Sequence, residues 1–136
     1  MSTHLLEKQE KIQKILTKLA EDSTKGTPIV VEGKKDVEAL RSLGVNGPVF
    51  TVKTGGKSFV QALQEIEETG AREVVLLLDF DRRGKEGTSR LKQNLEGLRI
   101  KPNIRFWTDL YALVGREVQC VESLTSYMET LQRKAM

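Results

Sequence analysis

Five successive apolar residues, Val74-Val75-Leu76-Leu77-Leu78, open after Glu73 and stop at Asp79. A run this short and this apolar is a strand buried by its surroundings, not a membrane span or an amphipathic helix. Shorter runs of the same kind precede it, Ile29-Val30-Val31 and Val49-Phe50-Thr51-Val52, rich in β-branched residues that favour strands. A fourth, Ile104-Arg105-Phe106-Trp107, is expected after Pro102, with Trp107 as a packing residue at its end.

Helical patterns fill the intervals. Residues 3–21 carry Leu5, Ile12, Leu16 and Leu19 on one face, a core-facing stripe closed by Gly26 and Pro28. Asp36 is placed to N-cap a helix through Val37, Leu40 and Leu43 that stops at Gly44. Ser58 is a candidate N-cap for a helix with Phe59, Leu63 and Ile66, ended by Gly70. A polar loop after Asp79 then leads into a helix bearing Leu91, Leu95 and Leu98. The C-terminal stretch is helical, with Leu124, Tyr127, Met128 and Leu131 facing inward. Strands alternating with helices imply an α/β fold with a parallel sheet covered on both faces. Ligands of such sheets collect beyond the carboxyl ends of the strands, so the loops after Val31, Val52 and Leu78 are where function is sought.

With 136 residues and no internal repeat or low-complexity segment, the chain is expected to form one domain. It lacks an apolar run near the roughly 20 residues of a membrane helix. Residues 1–10 lack the apolar core of a secretory signal, so a cytoplasmic location is expected. One cysteine, Cys120, and one histidine, His4 near the terminus, leave no internal disulfide, no His- or Cys-based zinc cage and no rigid histidine for a catalytic triad. A bound metal would have to be held by carboxylates, which points to Mg²⁺ or Mn²⁺.

Two loops begin with acids where their strands end: Glu32-Gly33-Lys34-Lys35-Asp36 and Asp79-Phe80-Asp81-Arg82-Arg83-Gly84. If the two strands are neighbours, Glu32, Asp79 and Asp81 converge. Like charges at close range are unfavourable unless a cation or proton lies between them. A hard divalent cation with oxygen ligands resolves that conflict, and Mg²⁺ uses one or two carboxylates together with substrate phosphate oxygens. Gly33 and Gly84 would let the backbone turn and leave room for substrate. Capping is the competing account of any single acid at these positions, and for Asp36 it is the better one.

These residues resemble the Toprim family, shared by topoisomerases, bacterial primases, OLD-type nucleases and the 5S ribosomal RNA maturation nuclease. The family pattern has Glu-Gly after its first strand and Asp-x-Asp with a nearby Gly after its third. Glu32-Gly33 and Asp79-Phe80-Asp81 with Gly84 match in that order, and residues 30–37 resemble the primase and RNA-maturation branches in particular. The resemblance covers residues 27–108. It implies a Rossmann-like fold with a four-stranded parallel sheet flanked by helices, Mg²⁺ on Asp79 and Asp81, and a general acid/base role for Glu32. Residues 1–26 then form an extra N-terminal helix packing on the domain, and 109–136 a helical extension of it. No large substrate-selecting domain fits in this length, so the chain resembles the small stand-alone, primase-like Toprim proteins, with a protein partner left open for substrate selection.

The net charge is +3 and the pI about 9.0, modest values whose placement matters more than their size. Lys34, Lys35, Lys53, Lys57, Arg82, Arg83 and Lys85 all fall in the loops at the expected active edge. There they would contact nucleic-acid phosphates, although Arg82 and Arg83 are equally placed to pair with neighbouring acids. Gly55 and Gly56 would let Lys53 or Lys57 reach a phosphate. The same segment ends in Gly-Lys-Ser like a phosphate-cradling loop, but Thr51 stands where that motif needs its first glycine. Few aromatics are available for base stacking.

The favoured expectation is a Mg²⁺-dependent (or Mn²⁺-dependent) phosphodiester or nucleotidyl transfer on RNA or DNA, with cleavage and RNA processing preferred. A non-catalytic nucleic-acid-binding module and a primase-like nucleotidyltransferase remain as alternatives, and a nucleotide-binding protein is a more distant one.

Overall fold

A computed structural model describes residues 3–52 and 59–135. Lys53, Gly55, Gly56, Lys57 and the candidate cap Ser58 lie outside the described residues. The chain runs α1 (Thr3–Thr24), β1 (Ile29–Val31), α2 (Lys34–Ser42), β2 (Val49–Thr51), α3 (Phe59–Glu68), β3 (Glu73–Leu76), α4 (Arg82–Gly97), β4 (Lys101–Asn103), α5 (Arg105–Val114) and α6 (Val121–Ala135). The four strands form one sheet in the order β2-β1-β3-β4, and every pairing is parallel.

Side-chain alternation along the two central strands divides the core in two. Ile29, Val31, Val75 and Leu77 face α1, α2, α5 and α6, where they meet Ile12, Leu16, Leu40, Leu110 and Leu124. Val30, Val74, Leu76 and Leu78 face the other way, onto Ile66 of α3 and Leu91 and Leu95 of α4. Every residue of β1 is fully buried, which is why neither central strand needs a polar face. The order also fixes where the sheet opens. From β1 the chain leaves to β2 on one side, and β3 lies on the other, so the crevice at their carboxyl ends is the topological switch point.

The fourth strand differs from its expected position. It comprises Lys101–Asn103, paired through Glu73↔Lys101 and Val75↔Asn103, and the segment from Arg105 that looked like a strand is the first turn of α5. Pro102 belongs to this strand because β4 is at the sheet edge, where a missing N–H is tolerated. Asn103 makes the switch: its Oδ1 accepts the Arg105 N–H at 2.9 Å, while its Nδ2 donates to Glu73 on β3 at 2.9 Å. Beyond it Phe106, Leu110 and Val114 recur at helical spacing and are buried. Among the described residues no helix is long and apolar enough to cross a membrane.

Candidate metal and phosphate site

Each acidic segment leaves its strand at the switch point. β1 ends at Val31, and Glu32 follows with 8% of its surface exposed. Helix α2 then begins three residues earlier than expected, because Gly33 in an extended conformation is its N-cap and Asp36 lies in its first turn. Asp36 is therefore not the N-cap. Its Oδ2 accepts the Gly33 N–H at 3.1 Å, the reach-back half of a capping box. Its Oδ1 accepts the Glu122 N–H at 2.9 Å, at the start of α6. One buried carboxylate thus joins the β1–α2 connection to the C-terminal helix, where the helix dipole also favours negative charge.

On the neighbouring strand the ladder continues past β3, with the Leu77 N–H donating to Val30 at 2.8 Å. The Leu78 carbonyl accepts the Trp107 indole N–H at 2.9 Å, and the Phe80 N–H donates to the Gln119 carbonyl at 2.6 Å. The loop before α6 is therefore pinned across the Asp79-Phe80-Asp81 turn. Asp81 is the N-cap of α4, its Oδ1 accepting the Gly84 N–H at 2.8 Å. No polar loop intervenes, since Arg82 already belongs to the helix.

Gly84 is consequently a helical residue, not a turn. A Cβ at this position would collide with the carbonyl oxygen and carbonyl carbon of Asp79, so glycine is required by close approach. Gly33 has φ −146°, open to any residue, and a Cβ there would meet nothing within 4 Å. The expected glycine turns are thus replaced by a helix cap and a helix–loop contact.

Among the described residues, one group of three has donor atoms mutually within 4.8 Å: Asp36, Asp79 and Cys120. Glu32 and Asp81 share the sheet edge with Asp79 but do not complete such a group. Asp36 and Cys120 were missed as neighbours of Asp79 because both arrive by tertiary packing. The only sequence signal was an acid three residues after Gly33. The donor set near Asp79 fits a hard divalent cation through its carboxylate oxygens, with the Cys120 thiol the one soft donor present.

Glu32 lines a separate cleft of about 290 Å³ with Val52, Phe59, Leu78, Arg83, Glu86, Gly87 and Arg90. Val52 and Phe59, the described residues that flank 53–58, both border it. The predicted cations distribute unevenly. Arg83 is at the cleft, Arg82 pairs with Glu86 at 3.4 Å, and Lys34 and Lys35 are exposed at the start of α2. Lys85 turns away to the Tyr111 hydroxyl at 2.8 Å, over a ring that stacks on Trp107 at 5.1 Å.

Comparison with known proteins agrees with this geometry. A Toprim domain model matches residues 26–104. A UPF0292 protein of Methanosarcina acetivorans is 34% identical over 125 residues, covering 92% of this chain and 85% of the relative. A UPF0292 protein of Methanocaldococcus jannaschii is 32% identical over 119 residues, covering 88% and 91%. A solved structure of a putative protein from Aquifex aeolicus superposes with a TM-score of 0.67 at 23% identity, over 81% of this chain and 94% of that one. That last likeness concerns the fold alone.

Proposed function

This chain belongs to the Toprim domain family, and on that premise we propose that it carries out Mg²⁺-dependent phosphodiester or nucleotidyl transfer on nucleic acid, cleavage of RNA first among these. The observation that carries the reading is the exit of Glu32 and Asp79 from adjacent parallel strands at the switch point, with Asp81 two residues further on.

In this reading Asp79 and Asp81 hold the ion, Asp81 through the oxygen not engaged by Gly84. When bound, Mg²⁺ supplies positive charge that neutralises the reacting phosphate. The residues of the chain do the rest. Glu32, which lines the cleft, takes a proton from the attacking group or gives one to the leaving oxygen. Arg83, and Lys34, Lys53, Lys57 and Arg82 in the neighbouring segments, hold flanking phosphates. The test is incubation of labelled structured RNA, single-stranded DNA and duplex DNA with the protein and Mg²⁺. Product is expected with the native chain and lost with Asp79→Ala and Glu32→Gln; cleavage that persists in purified Asp79→Ala rejects the assignment.

One observation favours a second reading, a nucleic-acid-binding accessory module without turnover. The Asp36 and Asp81 carboxylates are already engaged by backbone N–H groups. That module predicts salt-sensitive binding with no Mg²⁺-dependent product.

A further inference from the structure

The Glu32 cleft has a second cation that the sequence did not single out. Arg83, Gly87 and Arg90 stand at i, i+4 and i+7 of α4, on one face over two helical turns, about 10 Å of rise. All three line the cleft. Between the two arginines Gly87 packs closely on Leu78, whose Cδ1 would lie 3.0 Å from an added Cβ. Arg90 lies over the Phe59 ring with its guanidinium carbon 4.7 Å from the centroid. Among the described residues neither Arg83 nor Arg90 has a carboxylate within 4.0 Å, whereas Glu86, the other acid lining the cleft, is paired with Arg82. Val52 and Leu78 supply apolar lining.

We infer that this cleft receives one unpaired nucleotide of a single-stranded RNA, with Arg90 as a phosphate- and base-contacting residue. The inference rests on the nucleic-acid reading given above and specifies its substrate class. Three features support it. Two guanidiniums about two turns apart on one face of α4 are spaced to straddle successive phosphates. Arg90, backed by the Phe59 ring, offers a guanidinium plane on which a splayed base stacks. The volume of about 290 Å³ is on the scale of one small ligand. Duplexes, in contrast, present their edges and phosphates to broad surfaces.

The test measures binding in EDTA, so that it is independent of cleavage. Fluorescence anisotropy is read with a labelled RNA octamer and with the same octamer as a blunt duplex. The native chain is expected to bind the single strand at least about tenfold more tightly. Arg90→Gln is expected to weaken single-strand binding about tenfold and to reduce the salt slope by about one. Lys92→Gln, an equal charge change half a turn around α4, is expected to leave binding within about twofold. Equal affinity for strand and duplex, absence of binding, or equal losses for Arg90→Gln and Lys92→Gln overturns the inference. The Mg²⁺ cleavage assay decides the reading of the acids separately.

Discussion

The Asp36 carboxylate accepts the backbone N–H of Glu122 at 2.9 Å across 86 residues of sequence. Through its other oxygen the same carboxylate holds Gly33, one residue after Glu32. The C-terminal helix is therefore fastened to the segment that presents the candidate proton-transfer residue.

That bond makes a stability prediction. Hydrogen bonds to a charged acceptor are worth about 1.5–3 kcal/mol each, and a donor left unsatisfied by burial costs a further desolvation penalty. Asp36→Ala removes both acceptors and is expected to destabilise the chain by about 2–5 kcal/mol in urea unfolding. Asp36→Asn keeps one acceptor and should lose roughly half as much. A midpoint for Asp36→Ala equal to that of the native chain would mean that α6 is not held through this carboxylate.

Gly84 and Gly97 sit on the same helix and predict opposite signs. Alanine is ordinarily about 1 kcal/mol better than glycine inside a helix. At Gly97 a Cβ meets nothing within 4 Å, so Gly97→Ala should be neutral or stabilising by up to about that amount. At Gly84 the added methyl would strike the Asp79 carbonyl group, forcing α4 away from the Asp79-Phe80-Asp81 turn. Gly84→Ala should therefore cost about 1–3 kcal/mol, the range of overpacking. Thermal unfolding of the two variants side by side checks the sign.

The central part of the fold was legible because it is written locally. Ile29-Val30-Val31 and Val74-Val75-Leu76 are short apolar runs closed by acids, and no other local structure suits them. The fourth strand was not legible, because Lys101-Pro102-Asn103 has neither apolar character nor a second face to bury, and its pairing is decided by β3. Ile104–Trp107 is more β-like in composition, yet the Asn103 side chain accepts the Arg105 N–H in the turn that leads into α5. The site divides in the same way. Glu32 and Asp79 could be placed from strand ends alone, whereas the dual role of Asp36 depends on a helix more than 80 residues away. Asp81 caps α4 through one oxygen, and the proposed metal role falls to the other.

Asp81 accordingly offers a way to separate cap from ligand. Serine caps a helix about as well as aspartate, while alanine loses about 1 kcal/mol. Asp81→Ser should keep native stability within a few tenths of a kcal/mol, and Asp81→Ala should lose about 1 kcal/mol. If Asp81 also holds the metal, both variants lose Mg²⁺-dependent cleavage to a similar extent, about 100-fold or more for a charge-stabilising group. Retained cleavage in Asp81→Ser would assign Asp81 to the helix alone.

Trp107 tests how firmly the end of β3 is held from the α5 side. Its indole N–H donates to the Leu78 carbonyl at 2.9 Å, and its ring meets Phe80 at 5.5 Å and stacks on Tyr111 at 5.1 Å. Leu78 is 2% exposed, so removing the donor leaves its carbonyl with poor access to water. Trp107→Phe retains an aromatic ring but not the hydrogen bond, and a cost of about 1–2 kcal/mol is expected from that bond and the reduced contact. Since Leu78 immediately precedes Asp79 and lines the Glu32 cleft, the loss should also reach the chemistry. The Mg²⁺-dependent rate should fall severalfold in Trp107→Phe at a temperature where the variant remains folded. Native stability with native rate would show that the indole bond does not position the turn, leaving Gly84 and Gln119 to hold it.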